Sequence, residues 1–135
     1  MTTNEKGAIG LAKVISDVTE KLFQVFLPLT DTSIIDLIIV NKELVSKKLQ
    51  IKYLSLNKTG SVIIQCESVI NRKRVLNDFS KIDGIAIYCP DNKQLYYVPV
   101  SEITGKSLSL KITENKKGGK SLKYGEDFLE INNLF

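Results

Sequence analysis

Ser33-Ile34-Ile35-Asp36-Leu37-Ile38-Ile39-Val40, followed after a short turn by Lys47-Lys48-Leu49-Gln50-Ile51-Lys52-Tyr53-Leu54, decides how this chain is read. In the first segment Ile35, Leu37 and Ile39 share one face of a strand, and Ile34, Asp36, Ile38 and Val40 the other. Both faces are apolar, as in a strand covered by a layer on each side. Asp36 stands alone within one of them. Asn41 to Ser46 can turn the chain, after which Leu49, Ile51 and Tyr53 alternate with Lys48, Gln50, Lys52 and Leu54. Gln50 and Lys52 then share a face, about 6.6 Å apart along the strand. If the two strands pair, an acid, an amide and an ammonium group converge. A lone buried carboxylate is costly unless it is paired or binds a cation. The pattern therefore predicts either an Asp36–Lys52 ion pair in a half-buried sheet or a metal ion held by Asp36 and the Gln50 carbonyl.

Working outward, Ala8, Leu11, Ala12, Ile15, Val18 and Leu22 recur at steps of three or four and predict an amphipathic helix over Thr3 to Leu22. Thr3 with Lys6 three residues on makes half a capping box. Phe23 to Leu29 reads as a strand ended by Pro28 and the Thr30-Asp31-Thr32-Ser33 cluster. Further strands are expected at Val62 to Cys66, Gly84 to Cys89, Gln94 to Val100 and Leu108 to Ile112. Pro90-Asp91-Asn92-Lys93 turns a hairpin between the middle two. Arg72 to Lys81 is expected to be a short helix, and Asn115 to Tyr124, with Gly118-Gly119 amid lysines, a basic loop. The expectation is α/β: one domain over residues 1–135, with a mixed central sheet, the helix across one face and a β-hairpin extension.

Composition excludes several chemistries. The chain has 135 residues, 43% hydrophobic and 25% charged, with no repeat or low-complexity linker. It has no His, which removes histidine acid–base catalysis, histidine-ligated zinc and every Ser-His or Cys-His triad. Cys66 and Cys89 are flanked by apolar residues, which predicts buried, reduced thiols. No apolar run is long enough for a membrane span and no signal peptide opens the chain, which predicts a cytoplasmic location. Lys and Arg number 19 against 15 Asp and Glu, a net charge of +4. The excess is concentrated between Thr104 and Gly125, where Lys106, Lys111, Lys116, Lys117, Lys120 and Lys123 face only Glu114. Such a segment favours nucleic acid as the partner.

The helix opening Lys6-Gly7-Ala8-Ile9-Gly10, the Asp within Ile-Ile-Asp-Leu-Ile-Ile, and Gln50-Ile51-Lys52 together resemble the PD-(D/E)XK nucleases. Asp83-Gly84-Ile85-Ala86-Ile87-Tyr88 and Leu95-Tyr96-Tyr97-Val98-Pro99-Val100 resemble the branch holding Holliday-junction-resolvase-like and intron-encoded homing endonucleases. The likeness runs from Lys6 to Ile103 and implies a restriction-endonuclease-like fold. It also implies Mg²⁺-dependent, sequence-specific cleavage of double-stranded DNA, with Ca²⁺ as a non-catalytic substitute. Asp36 matches the family's metal-binding Asp, Gln50 the position of its second acid, and Lys52 the motif lysine. The implied metal ligands are Asp36, the Gln50 side-chain carbonyl and the Ile51 backbone carbonyl. Leu11 stands where the family has a helix Glu, which predicts weak metal binding and weakened catalysis. The resemblance further implies a homo-oligomer, a dimer at minimum and a tetramer for a long target. A Holliday-junction resolvase and a non-catalytic DNA-binding module are the alternatives.

For DNA contact the candidates are Arg72, Arg74, Lys111, Lys116, Lys117, Lys120 and Lys123, with the two arginine forks best suited to guanine edges. Tyr88, Tyr96 and Tyr97 fit either base stacking or hairpin packing. Glu67, Asp78 and Asp83 are spare acids.

Overall fold

The computed structural model describes residues 1–30, 33–112 and 122–135. One helix, α1 (Thr3–Glu20), precedes β1 (Gln24–Phe26), β2 (Leu37–Val40), β3 (Ser46–Tyr53), β4 (Ser61–Gln65), β5 (Glu67–Ile70) and β6 (Lys73–Leu76). Then come β7 (Gly84–Cys89), β8 (Gln94–Pro99), β9 (Ser107–Lys111) and β10 (Lys123–Tyr124), with 3₁₀ turns at Val100–Glu102, Gly125–Phe128 and Ile131–Leu134.

The helix starts at Thr3, as the sequence suggests, and ends at Glu20 rather than Leu22; its cap lies one residue before the expected one. Thr2 is the cap: its side chain accepts the Glu5 N–H at 3.1 Å, and the Glu5 carboxylate accepts the Thr2 N–H at 2.8 Å. This is a full capping box, where Thr3 and Lys6 promised half of one. At the other end Leu22 has φ 68°, its N–H bonds the Thr19 carbonyl, and the Phe23 N–H bonds that of Val18. That pattern of bonds is a Schellman stop, and it turns Leu22 out to solvent. The buried stripe is accordingly Gly10, Val14 and Val18, with Leu11 and Ile15 half-buried, while Ala8 and Ala12 are exposed. Gly10 sets this rotation: a Cβ there would meet Ile51 Cγ2 at 3.3 Å, so the helix backbone approaches β3 closely.

Five strands form the central sheet in the order β1-β2-β3-β7-β8. β3 and β7 run parallel and the other neighbours antiparallel, which makes the sheet mixed as expected. α1 covers one face, where Val14, Val18, Leu37, Ile39, Leu49 and Tyr97 pack together. The three-stranded sheet β10-β9-β4 contributes to the second core, where Val62, Ile64 and Leu110 join Ile85, Ile87 and Val98. β7 is buried along its whole length, the state predicted for a strand covered on both faces. Both cysteines are buried free thiols, and burial pushes the Cys66 thiol upward.

Two expectations are corrected. The Asp36 strand begins only at Leu37, because Ser33 Oγ accepts the Ile35 N–H at 3.0 Å and bends the preceding segment. Residues 72–81 are not a helix: Lys73–Leu76 pairs with Glu67–Ile70 as a hairpin. Asn71 and Arg72 both have positive φ, 51° and 64°, which is the two-residue type I′ turn that matches strand twist. The predicted basic loop lies partly outside the described residues, but Lys123 and Tyr124 form a strand parallel to β9.

Candidate active site and nucleic-acid interface

Asp36 sits where β2 gives way to irregular chain. Its N–H donates to the Leu49 carbonyl at 2.9 Å, and its Oδ2 accepts the Ile51 N–H at 2.7 Å. The β2–β3 ladder ends at Leu37 opposite Leu49, so the Ile51 N–H has no strand partner on that edge. The carboxylate takes the place of the missing ladder acceptor. N–H and C=O of one strand residue point to the same edge, so the Ile51 carbonyl faces this opening too. The half-buried Asp36 carboxylate is thereby fixed on the backbone between Gln50 and Lys52.

The side chains of those neighbours diverge from it. Asp36, Leu11 and Ile51 line a cavity of about 800 Å³ between the first turns of α1 and residues 27–36. Gln50 and Lys52 line another of about 380 Å³, together with Ile34, Asn77, Asp78 and Lys81. Gln50 Nε2 reaches the Ile34 carbonyl at 3.5 Å, at the outer limit of a hydrogen bond. The direct Asp36–Lys52 ion pair is absent: no pair within 4.0 Å involves either residue among the described ones. Lys52 is therefore half-buried with no carboxylate partner among the described residues. Asn77 and Lys81 were not legible as site residues, because their segment reads as a helix.

The spare acids have structural duties. Asp83 Oδ2 accepts the Lys48 N–H at 2.8 Å and clips β3 to the start of β7. Glu67 pairs with Arg74 at 3.5 Å and Lys106 at 4.0 Å. Asp78 accepts from the Ser80 N–H and hydroxyl, which hold its carboxyl below the usual range. No three His, Cys, Asp or Glu residues cluster as a metal site among the described residues. What the chain offers a cation is Asp36 Oδ1, which has no protein donor among those residues, with the Ile51 backbone carbonyl on the same strand edge. An all-oxygen set with one carboxylate suits a hard divalent ion, held with part of its shell left to water and phosphate.

The tyrosines are not a stacking platform. Tyr88, Tyr96 and Tyr97 are all buried. The Tyr97 hydroxyl donates to Asp17, and Asn92 Nδ2 donates to the Tyr96 hydroxyl at 2.8 Å. Of the proposed DNA contacts, Arg72 and Arg74 are exposed on the β5–β6 hairpin and Lys111 is exposed on β9. Lys123 is engaged within the chain, by the Glu102 carboxylate and, at 3.1 Å, its carbonyl. Lys116, Lys117 and Lys120 lie outside the described residues.

A mixed sheet backed by one helix, with strand hairpins beside it, is a restriction-endonuclease-like fold. The chain belongs to the PD-(D/E)XK endonuclease family, whose sequence model matches residues 1–131. Among solved structures it is similar to that of a bacterial homing endonuclease, I-Ssp6803I, with a TM-score of 0.79 and 21% identity. That likeness covers 99% of this chain and 93% of the other. No curated protein sequence matches significantly. No helix among the described residues is long and apolar enough to cross a membrane.

Proposed function

We propose that residues 1–135 form one metal-dependent endonuclease domain of the homing type, which hydrolyses phosphodiester bonds in double-stranded DNA. The observation that carries this reading is the Asp36 carboxylate anchored on the Ile51 N–H, between Gln50 and Lys52, in a chain of a nuclease family. Mg²⁺ would be held by Asp36 and the Ile51 backbone carbonyl, with the Gln50 carbonyl added once that side chain turns in from the neighbouring cavity, and Ca²⁺ would be a non-catalytic substitute. When bound, the ion supplies an acidified water and charge neutralisation at phosphorus. Lys52, which makes no ion pair among the described residues, would balance the negative charge that grows on the phosphate in the transition state. Asp36 fixes the opening between β2 and β3 as well as lending its free oxygen.

Leu11 is the weak point. It lines the same cavity as Asp36, so an acid there would stand beside the metal ligand, whereas the leucine offers only hydrocarbon. With a single carboxylate, cation affinity is low and cleavage by this chain is slow. DNA would be held by Arg72, Arg74, Lys111, Lys116, Lys117 and Lys120, and by Lys123 only on release from Glu102. One site cuts one strand, so a double-strand break calls for a dimer at least, and a tetramer gives so small a chain reach over a long target. The test is nicking of supercoiled plasmid across a Mg²⁺ titration. Leu11→Glu should raise the rate and lower the Mg²⁺ needed, and Asp36→Asn should abolish cleavage in that background. A Leu11→Glu protein that binds duplex tightly yet stays inert at saturating Mg²⁺ would leave a DNA-binding module as the better description.

A further inference from the structure

We propose that the β5–β6 hairpin is a DNA-reading ribbon that enters the major groove, with Arg72 at its tip as a base-reading residue and the face of Ile70, Lys73 and Val75 turned to the bases. This rests on the endonuclease reading above and adds the element that selects sequence.

The hairpin belongs to neither larger sheet. Among the described residues it is tied at its root, where the Asn77 N–H donates to the Cys66 carbonyl at 2.7 Å, the Ser68 hydroxyl donates to Asn77 Oδ1 and Glu67 pairs with Lys106 at 4.0 Å. Beyond the root every residue is exposed, including Val69 at 69%, Ile70 at 55% and Leu76 at 62%. A two-stranded ribbon is marginal alone in water and is also an element that fits a groove about 12 Å wide.

Charge selects the ligand and the face. The tip reads Asn71-Arg72-Lys73-Arg74, three cations with no acid among them. Arg74 shares the face of Glu67 and is paired with it, whereas Arg72 and Lys73 have no ion pair among the described residues. The face left cationic is the one carrying Ile70 and Val75, which offer apolar contact for thymine methyl groups. A polyanion satisfies such a tip, and a second copy of a chain with net charge +4 does not.

Backbone and position agree. Arg72 holds φ 64° at a turn position that glycine occupies without strain, so the fork can be removed there without breaking the turn. Ser68 and Asn77, at the root, line the same cavity as Gln50 and Lys52, so the ribbon springs from beside the motif strand.

The test uses the whole chain in Ca²⁺, selecting duplexes from a pool with a randomised central segment. Arg72→Gly removes the fork and gives an Asn-Gly turn, so the hairpin is kept. Lys93→Gly makes the same exchange at another exposed position with positive φ, 58°, and serves as the control. The wild type and Lys93→Gly should yield the same consensus. Arg72→Gly should lose preference at one or two positions by roughly 5- to 150-fold, and Val75→Ser at an adjacent one. An unchanged consensus for both variants overturns the ribbon, as does retention of DNA by the wild type with no consensus. So does a fall in oligomer mass with preference intact, which would make the hairpin a contact between copies. If the wild type retains no DNA at all, the endonuclease reading itself fails.

Discussion

β7 and the β5–β6 hairpin are built from similar residues and meet opposite fates. Gly84-Ile85-Ala86-Ile87-Tyr88-Cys89 is buried from end to end, whereas Ser68-Val69-Ile70 and Val75-Leu76 stand in solvent. The difference is in the layers, not in strand propensity. β7 lies between two strands of its own sheet, with α1 against one face and the second core against the other. Each hairpin strand has one partner, and among the described residues no layer covers either face. Apolar alternation specifies an extended chain, and topology decides whether water is excluded from it. An apolar ribbon left uncovered stabilises the monomer little, which frees its sequence for another use.

Truncation should expose the contrast most sharply at Leu49. This side chain is fully buried between α1 and the sheet, in contact with the position where a Cβ on Gly84 would fall, and its carbonyl holds the Asp36 N–H. Leu49→Ala removes core volume beside the site and should cost about 2–5 kcal/mol of stability by urea unfolding. A loss near that of an exposed residue would mean that the two regions are not as different as they look.

A smaller effect is expected at Tyr97, whose fully buried ring sends its hydroxyl to Asp17, which also pairs with Lys21 at 3.0 Å. Tyr97→Phe removes a hydrogen bond to a charged acceptor that is itself partly solvated, and should cost about 1–2 kcal/mol. Burial first, and the Asp17 carboxylate second, push the Tyr97 hydroxyl far above its ordinary value. The folded state thus holds a proton that the unfolded chain releases near pH 10. This contribution is complete below about pH 10 and is lost as pH rises beyond it. Alkaline unfolding should be steeper in the wild type than in Tyr97→Phe. Equal slopes would show that the Tyr97–Asp17 bond does not couple folding to pH.

The covered region was the legible one. Ile85, Ile87 and Val98 announce their strands by period two, and the mixed sheet with its helix follows from their order. The helix stripe was misread by one residue, because the rotation is fixed by close approach at Gly10, and a missing side chain leaves no hydropathy signal. At the site, the juxtaposition of Asp36 with the Gln50–Lys52 segment was readable from strand order. The partner of the carboxylate was not, since the Ile51 N–H becomes available only because β2 stops at Leu37. The hairpin was missed outright: Val75, Leu76 and Phe79 mimic helix spacing, and Asn71-Arg72 lacks the glycine that usually flags a type I′ turn.

The smallest effect should come from the uncovered apolar residues themselves. Val69 lies on the Glu67 and Arg74 face of the ribbon, opposite Arg74, and is 69% exposed. Val69→Ser forfeits strand propensity and some cross-strand contact but no buried area. The cost to urea stability should stay within about 0.5 kcal/mol, the range of surface substitutions. The measurement is informative because the same change in a covered strand would be among the most damaging in the molecule. A cost of 2 kcal/mol or more, especially one that grows with protein concentration, would mean that the face is buried against a second copy in solution. The contrast between β7 and the hairpin would then be a property of the isolated chain, and the ribbon's exposed face a subunit interface.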